Sequence, residues 1–316
     1  MDTPRSKIIY ALTFIVSFFI FLMFTFPFSV LKDTISQKAS EATGLNISME
    51  AISPNIPFGI NVEGLVVQKN SSKKIRIEEI DVDLKFLSLF AGKIGGTVTI
   101  DNGKNGSLDV DVSIPMGGLF AGNPIPSFLS LEAEKFSLTD ILAFAMDHLA
   151  ASPTMDPFIA PMLKQVRVES ALSANVNIDL DTSDPKNSDG AVDIKLLNLN
   201  IKSLDPSIDL VAQKFKKAQI IAKLSAGNFR LDPKSSIDSD QIGFGFSGSI
   251  GLKNPIQRSN LMLDVSMNLK GALKDTFGSY VATLLLKTDP TTWDGNATLQ
   301  LAGTLAFPTV NPILQN

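Results

Sequence analysis

The chain has 316 residues, a length that fits two average domains or one long β domain. Lys and Arg number 28 against 32 Asp and Glu, so the net charge is −4 and the basic excess typical of nucleic-acid-binding proteins is missing. Cysteine is absent and histidine occurs once, which excludes disulfides, thiolate nucleophiles, Cys-ligated metals and multi-His metal sites.

The first predicted element is an uncharged apolar stretch over 8–28, which as a helix is long enough to cross the ~30 Å hydrocarbon core of a bilayer. A cleaved signal peptide is the alternative. Its apolar core normally runs only ~7–15 residues, however, and the nearest small-x-small site, at 40–42, lies far beyond the stretch. We therefore predict a short cytoplasmic tail and a retained membrane anchor in 1–28, and one exported domain in 29–316.

After the anchor, the sequence predicts a short amphipathic helix over 30–42 that ends at Gly44. The apolar period then changes from 3.6 to 2 residues. Strict alternation predicts strands with one apolar and one polar face, as in antiparallel sheets. It is clearest over 106–114, 172–180, 218–226, 261–269 and 299–307.

Irregularities interrupt this pattern at a few places. The apolar phase slips at 63–64 and at 78–79, which predicts bulges or bends. Helical spacing returns over 137–150 and 272–287, with a proline-containing segment around 153–165.

Two further segments, 181–190 and 232–240, have the composition of loops. With about a dozen strands and few helices, the predicted fold is mainly β. It is one long, curved, mostly antiparallel sheet with a few covering helices.

Three motifs that could indicate a ligand or an active site are better explained by structure. The spacing G-x-G-x-x-G over 243–248 keeps the alternation of a strand, whereas a dinucleotide site needs a turn into a helix. The acidic segment 179–190 lacks the Gly and Glu that an EF-hand loop requires. His148 ends an apolar helical stretch, where the helix dipole favours it, and no G-x-S-x-G elbow accompanies it. We therefore predict no catalytic residue, no cofactor and no metal.

The continuous apolar face of the sheet is the remaining candidate site. It is either an ordinary core closed by other elements, or an open groove that holds lipid acyl chains or a partner strand. Burial of each methylene group contributes about 0.8 kcal/mol, so a groove would bind acyl chains well. The predicted groove residues are Phe244, Phe246, Ile250, Leu261, Leu263 and Val265.

The first hundred residues resemble the type II secretion system protein N (GspN) family. The resemblance lies in the end of the anchor at 26–28, in 43–47, in 52–65 and in the segment Leu-Ser-Leu-Phe-Ala-Gly-Lys at 87–93. The strands around 248–250 and 301–305 are also similar to that family.

The resemblance implies an AsmA-like architecture, in which an inner-membrane anchor precedes a long U-shaped periplasmic sheet. It implies a non-catalytic component of type II protein secretion in the bacterial inner membrane, with inner-membrane lipids and other secretion components as partners. The alternative that it leaves is an AsmA-like protein that carries phospholipid in its groove. The net acidic charge argues against a nucleic-acid partner under either alternative.

Overall fold

A computed structural model describes residues 28–55, 58–69, 74–121, 125–151, 159–181, 183–203 and 212–313. Apart from Phe28, the predicted anchor over 8–28 lies outside these residues. None of the helices in the described ranges is long and apolar enough to span a membrane.

The described residues form one antiparallel sheet, as the alternation predicts. Its strands are β1 (Asn46–Ser48), β2 (Ala51–Asn55), β3 (Gly59–Gln68), β4 (Ile75–Leu84), β5 (Lys93–Asp101), β6 (Ser107–Pro115), β7 (Phe128–Ser137), β8 (Val166–Asp179), β9 (Asp189–Ser203), β10 (Gln213–Ser225), β11 (Asn228–Leu231), β12 (Ser236–Ser239), β13 (Ile242–Gly251), β14 (Asn260–Leu269), β15 (Asn296–Thr304) and β16 (Pro308–Ile313).

The sheet is a meander, since β3 to β10 and β13 to β16 each pair with the next strand in the chain. Two positions are filled by pairs of short strands. β11 and β12 both lie between β10 and β13, and β1 and β2 both pair with β3. A sheet in which neighbours in sequence are neighbours in space needs only short connections.

Helices are few and lie beside or beyond the strands. They are α1 (Phe28–Thr43), α2 (Phe86–Phe90), α3 (Met116–Phe120), α4 (Thr139–Ala150), α5 (Ile159–Gln165) and α6 (Gly271–Tyr280), and α6 continues as a π-helix over Val281–Leu286. The predictions of helices over 30–42, 137–150 and 272–287 are confirmed. Of the proline-containing segment, only α5 belongs to the described residues.

Because the strands alternate in direction, their connections gather at two ends of the sheet. At the end that we call the helical end, α4 and α5 follow β7, and α6 with its π-helix follows β14. Other connections lie at the opposite end, which we call the loop end, and their described residues are 85–92, 116–121, 125–127, 180–181, 183–188, 252–259 and 305–307.

The phase slips in β3 and β4 are not bulges. The two strands pair in one register on both sides of the slip, with Glu63 opposite Glu79 and Leu65 opposite Ile77. Gly64 has a φ of +57°, a backbone conformation that glycine adopts at little cost. The slip in β3 therefore coincides with a glycine in the left-handed region, and the pairing of β3 with β4 stays in register. Register shifts occur instead in the pairings of β7 with β8, β8 with β9, and β10 with β12.

Two other predicted segments are divided differently in the structure. The predicted loop over 232–240 contains β12, which pairs with β10 and β13 and fills the part of the sheet between them that β11 leaves open. The last predicted strand ends at Thr304, and Leu305 and Phe307 belong to an exposed turn. Their apolar phase continues that of β15, so the alternation alone did not reveal the turn.

Candidate functional site

An unbroken row of apolar or small residues crosses the sheet from one edge to the other. Each member is the direct cross-strand partner of the next, so all lie on one face. The row is Pro54, Ile60, Val82, Val98, Val110, Leu131, Val176, Val192, Ala222, Leu231, Gly248, Leu263, Leu301 and Val310. We call the face that carries this row the apolar face.

The opposite face is polar over most of its length. One residue along from the apolar row lies a ladder of hydrophilic partners: Asn61, Asp81, Thr99, Asp109, Glu132, Asn175 and Asp193. The Asn61 amide donates to Asp81 at 2.9 Å and the Thr99 hydroxyl donates to Asp109 at 2.6 Å. This face is therefore suited to water, and the apolar side chains are concentrated on the other.

Two helical covers, α4 and α6 with its π-helix, lie on the apolar face near the helical end. Under α4, Phe136 is 3% exposed and packs with Ala133, Ala174 and Ile141. Where α6 and the π-helix pack on the sheet, their residues Leu273 and Leu286 contact a cluster with Trp293 and with Met267 and Leu269 of β14. The indole N–H of Trp293 donates to the Asn296 carbonyl at 2.6 Å, so this polar group is satisfied within the cover.

The six predicted groove residues all lie on the apolar face of β13 and β14. Phe246 is opposite Val265, Gly248 is opposite Leu263, and Ile250 is opposite Leu261. Phe244 packs against the cluster under α6, and Leu261 is 6% exposed, so these two belong to packed regions. The other four are Phe246, Ile250, Leu263 and Val265, which are half-buried and lie outside the three packed clusters of the described residues.

A close backbone approach holds β13 and β14 together at the centre of this patch. Gly248 has a φ of +111°, and a Cβ built on it would lie 2.2 Å from the Met262 carbonyl oxygen. Only glycine fits there. The segment with G-x-G-x-x-G spacing is thus part of a continuous strand, as predicted, and its third glycine serves strand packing.

A cavity of about 310 Å³ lies at the loop end. It is lined by residues from three connections that are far apart in the sheet order, including Ile125, Leu180, Leu252 and Ile256. The β6–β7 and β13–β14 connections can line one cavity only if the sheet between them curls. This volume is at the lower limit of typical small-molecule sites.

The acidic segment after β8 is a self-contained turn. The Asp181 carboxylate accepts hydrogen bonds from the Ser183 hydroxyl at 2.5 Å, the Ser183 amide at 2.9 Å, the Asp184 amide at 3.0 Å and the Asn187 side chain at 3.1 Å. These bonds, that from the Ser183 hydroxyl first, hold the pKa of Asp181 well below its usual range. Its oxygens are occupied within the loop. Among the described residues there is also no group of three or more His, Asp or Glu placed to hold a metal ion.

His148 lies at the exposed end of α4, where its Nδ1 is 2.9 Å from the Lys69 ammonium. This contact joins α4 to the end of β3. The Lys69 ammonium and the His148 imidazole thus form a surface tie between the two elements.

The exposed apolar side chains at the loop end were missed by the sequence reasoning. Leu87 and Phe90 of α2 and Phe120 of α3 are 81%, 81% and 79% exposed. The signal is visible in the sequence as two short apolar runs, 86–90 and 119–120, with lysines at 85 and 93. Short apolar runs of this kind do not reveal whether they will be buried or exposed.

Comparison of the chain with protein-family models, with curated proteins and with solved structures finds no match.

Proposed function

We propose that this chain is a non-catalytic protein that holds lipid acyl chains against the apolar face of a U-shaped, AsmA-like sheet. Its N-terminal segment anchors it in the bacterial inner membrane, and residues 29–316 form a periplasmic domain. The observation that carries the proposal is the apolar row across the whole sheet, which in β13 and β14 extends beyond the helical cover. Large apolar surfaces outside a packed core are characteristic of binding sites.

The curvature is supported by the cavity at the loop end, where connections from distant strands meet. A curled sheet with its apolar face inward makes a trough, and the helical covers close it at one end. A trough has room for extended hydrocarbon chains, and it contacts them from the bottom and both sides.

Acyl chains are the ligand class that fits such a surface best. The half-buried patch offers aliphatic and aromatic side chains, namely Phe246, Ile250, Leu263 and Val265. Removing ten methylene groups from water contributes about 8 kcal/mol. Before ordering costs are subtracted, this corresponds to about micromolar affinity. A polar small molecule would leave its hydrogen-bonding groups without partners here.

The test compares neighbouring residues of β14 that point to opposite faces. Leu263→Asp places a charge on the apolar face, whereas Met262→Asp places it on the polar face, where Met262 is 61% exposed. We expect phospholipid to co-purify with the wild type and Met262→Asp, and to be lost from Leu263→Asp, by native mass spectrometry of the full chain. Equal lipid content in both variants would contradict the proposal.

A second measurement avoids the charge that could unfold the Leu263→Asp variant. Leu263→Cys changes the apolar surface little, and it introduces the one thiol of the chain. Bound lipid should slow its reaction with a maleimide, and delipidation should restore it, whereas Met262→Cys should react at the same rate in both states. Equal protection at both positions would contradict a lipid on the apolar face.

A role in type II protein secretion is the second proposal, and the resemblance of the first hundred residues to protein N supports it. In the fold, the resembling segments become β2, β3 and α2. Strand addition by a partner at β16 is disfavoured, because Pro308 and Pro312 lie in that edge strand. Partner binding would thus use a surface other than this edge strand. Association with secretion components, together with intact lipid content in all variants, would favour this proposal over the first.

A further inference from the structure

We propose that the loop end rests in the headgroup region of an anionic phospholipid bilayer, with α2 and α3 inserted. This inference depends on the membrane anchor of the proposed function but not on lipid binding in the groove. It commits to a lipid surface as the partner of the exposed apolar side chains.

The two short helices lie at neighbouring strand ends, since α2 precedes β5 and α3 follows β6, the strand that pairs with β5. The Met116 amide at the start of α3 donates to the Gly92 carbonyl just after α2, at 2.9 Å, so the chain segments that carry the helices meet at the loop end. Every residue of α2 and α3 is exposed or half-buried. Leu87, Phe90 and Phe120 are the most exposed of these apolar side chains. We call Leu87, Phe90, Leu119 and Phe120 the apolar tip.

Aromatic contacts fix α2, which carries Leu87 and Phe90 of the apolar tip, to the sheet. The Phe86 ring stacks on Phe58 with centroids 5.0 Å apart, and meets the Phe90 ring edge-on at 5.9 Å. Phe58 lies immediately before β3, so the tip is attached to the loop end rather than to a free segment. A surface that is held in place while its apolar side chains face outward is suited to shallow membrane insertion.

The charges of the two connections that carry the tip match an anionic surface, whereas the acidic β8–β9 connection, with Asp181 and Asp184, lies at the same end but two strands further along the sheet. Over 84–98 the charged residues are Lys85 and Lys93, and the segment 112–131 has none. Lys85 forms an ion pair with Asp111 on the polar face, and Lys93 lies exposed beside α2. Both loops therefore approach a bilayer without an acidic side chain that would repel lipid phosphates.

The direction of α1 brings the predicted anchor to the same end. The C-terminal part of α1 is fastened where the Ile47 amide donates to the Ser40 hydroxyl at 2.9 Å. From there β1 and then β2 run towards the loop end, as their pairing with β3 requires. Because α1 packs along both strands, it runs back in the opposite direction, and Phe28 lies on the loop-end side.

The chain outside the described residues therefore joins the domain on the side of the apolar tip. Residues 8–27, which precede Phe28, are uncharged. If they span the membrane, the tip lies on the side of the domain from which the anchor leaves. The position of the tip beside the end of the anchor therefore favours a bilayer over a second copy of the chain or a protein partner.

The test uses the cysteine-free full chain with single cysteines that carry an environment-sensitive fluorophore. Labels at Leu87→Cys and Phe120→Cys report on the tip. The matched control is Tyr280→Cys, since the Tyr280 side chain is 57% exposed and lies at the helical end. The chain is reconstituted into phosphatidylcholine–phosphatidylglycerol vesicles that contain a lipid with a nitroxide near its headgroup.

We expect the labels at 87 and 120 to be quenched several-fold more than the label at 280, and the contrast to shrink in pure phosphatidylcholine. Equal quenching at the three positions would overturn the inference. So would label-to-label energy transfer at 120 without lipid quenching, which would identify a second copy as the partner. Failure of the chain to float with the vesicles would refute the anchor. If Leu263→Asp loses bound lipid while the labels at the tip remain quenched, membrane contact of the tip is independent of lipid binding on the apolar face, as the inference requires.

Discussion

Leu286→Asp places a charge at the end of the π-helix that packs on the sheet, whereas Leu263→Asp places the same charge in the half-buried patch of the apolar face. Leu286 is 4% exposed and packs with Trp293 and Met267. Leu263 is half-buried, with Gly248 and Leu301 as its neighbours across the sheet. The two variants should therefore differ strongly in stability.

At Leu286, losing the leucine from a packed core costs about 2–5 kcal/mol. A carboxylate without a partner adds several kcal/mol because it is taken out of water, or it takes up a proton. The sum approaches the total stability of about 5–15 kcal/mol that is usual for a folded protein. At Leu263 the carboxylate can reach water in an open trough, so the loss is limited to apolar contact, about 2 kcal/mol.

The assay is urea unfolding of the full chain in detergent micelles. Trp293 is the single tryptophan and lies beside Leu286, so its fluorescence reports on the helical cover. Leu286→Asp should be unfolded or nearly so without urea, whereas Leu263→Asp should retain a cooperative transition at a modestly lower midpoint. If both variants unfold alike, the apolar face around Leu263 is closed, and the reasoning about the trough is refuted.

Three further predictions concern stability and topology. Chelators and reductants should leave the melting temperature unchanged, because the chain has no cysteine and stability rests on apolar burial; a drop of several degrees with chelator would contradict this. The native pKa of Asp181 is lowered, so its contribution is present above the usual Asp pKa and is lost as the pH falls towards the native value. Asp181→Asn should therefore lower the melting temperature more at pH 7 than at pH 3, and an equal effect at both would show that the charge is unimportant. A reporter fused after Asn316 should be active only when exported, and the mature protein should keep its own N-terminal segment. A cytoplasmic reporter signal, or a mature chain that begins near Thr43, would refute the anchored topology.

The sheet and the orientation of its faces could be predicted from the sequence because both follow from local alternation. Phe246 and Val265, for example, were assigned to one face by period alone, and they are direct cross-strand partners. The change of apolar phase at Gly64 could also be predicted from the sequence, but the backbone conformation that produces it could not. A glycine with positive φ and a bulge leave the same trace in the apolar pattern.

What covers the apolar face could not be predicted, since it depends on contacts between distant segments. Phe244 and Phe246 are equivalent in the alternation, yet only Phe244 lies in the cluster under α6. The short strands β11 and β12 share one position in the sheet, between β10 and β13. This arrangement can be recognised only from the strand pairing, which the alternation of one segment does not reveal. The exposure of the apolar tip could not be predicted for a related reason. The sequence of a short apolar run such as 86–90 does not indicate whether its side chains are buried or exposed.

The most direct test of a lipid-binding apolar face is photo-crosslinking in living cells. A photoreactive amino acid at Phe246 faces the proposed trough, and the same group at Ser247 faces the opposite side of the sheet, where Ser247 lies across from Asp264. We predict phospholipid adducts at position 246 and none at 247. Adducts to protein alone at position 246, or lipid adducts of equal yield at both positions, would contradict the proposal that this face holds acyl chains.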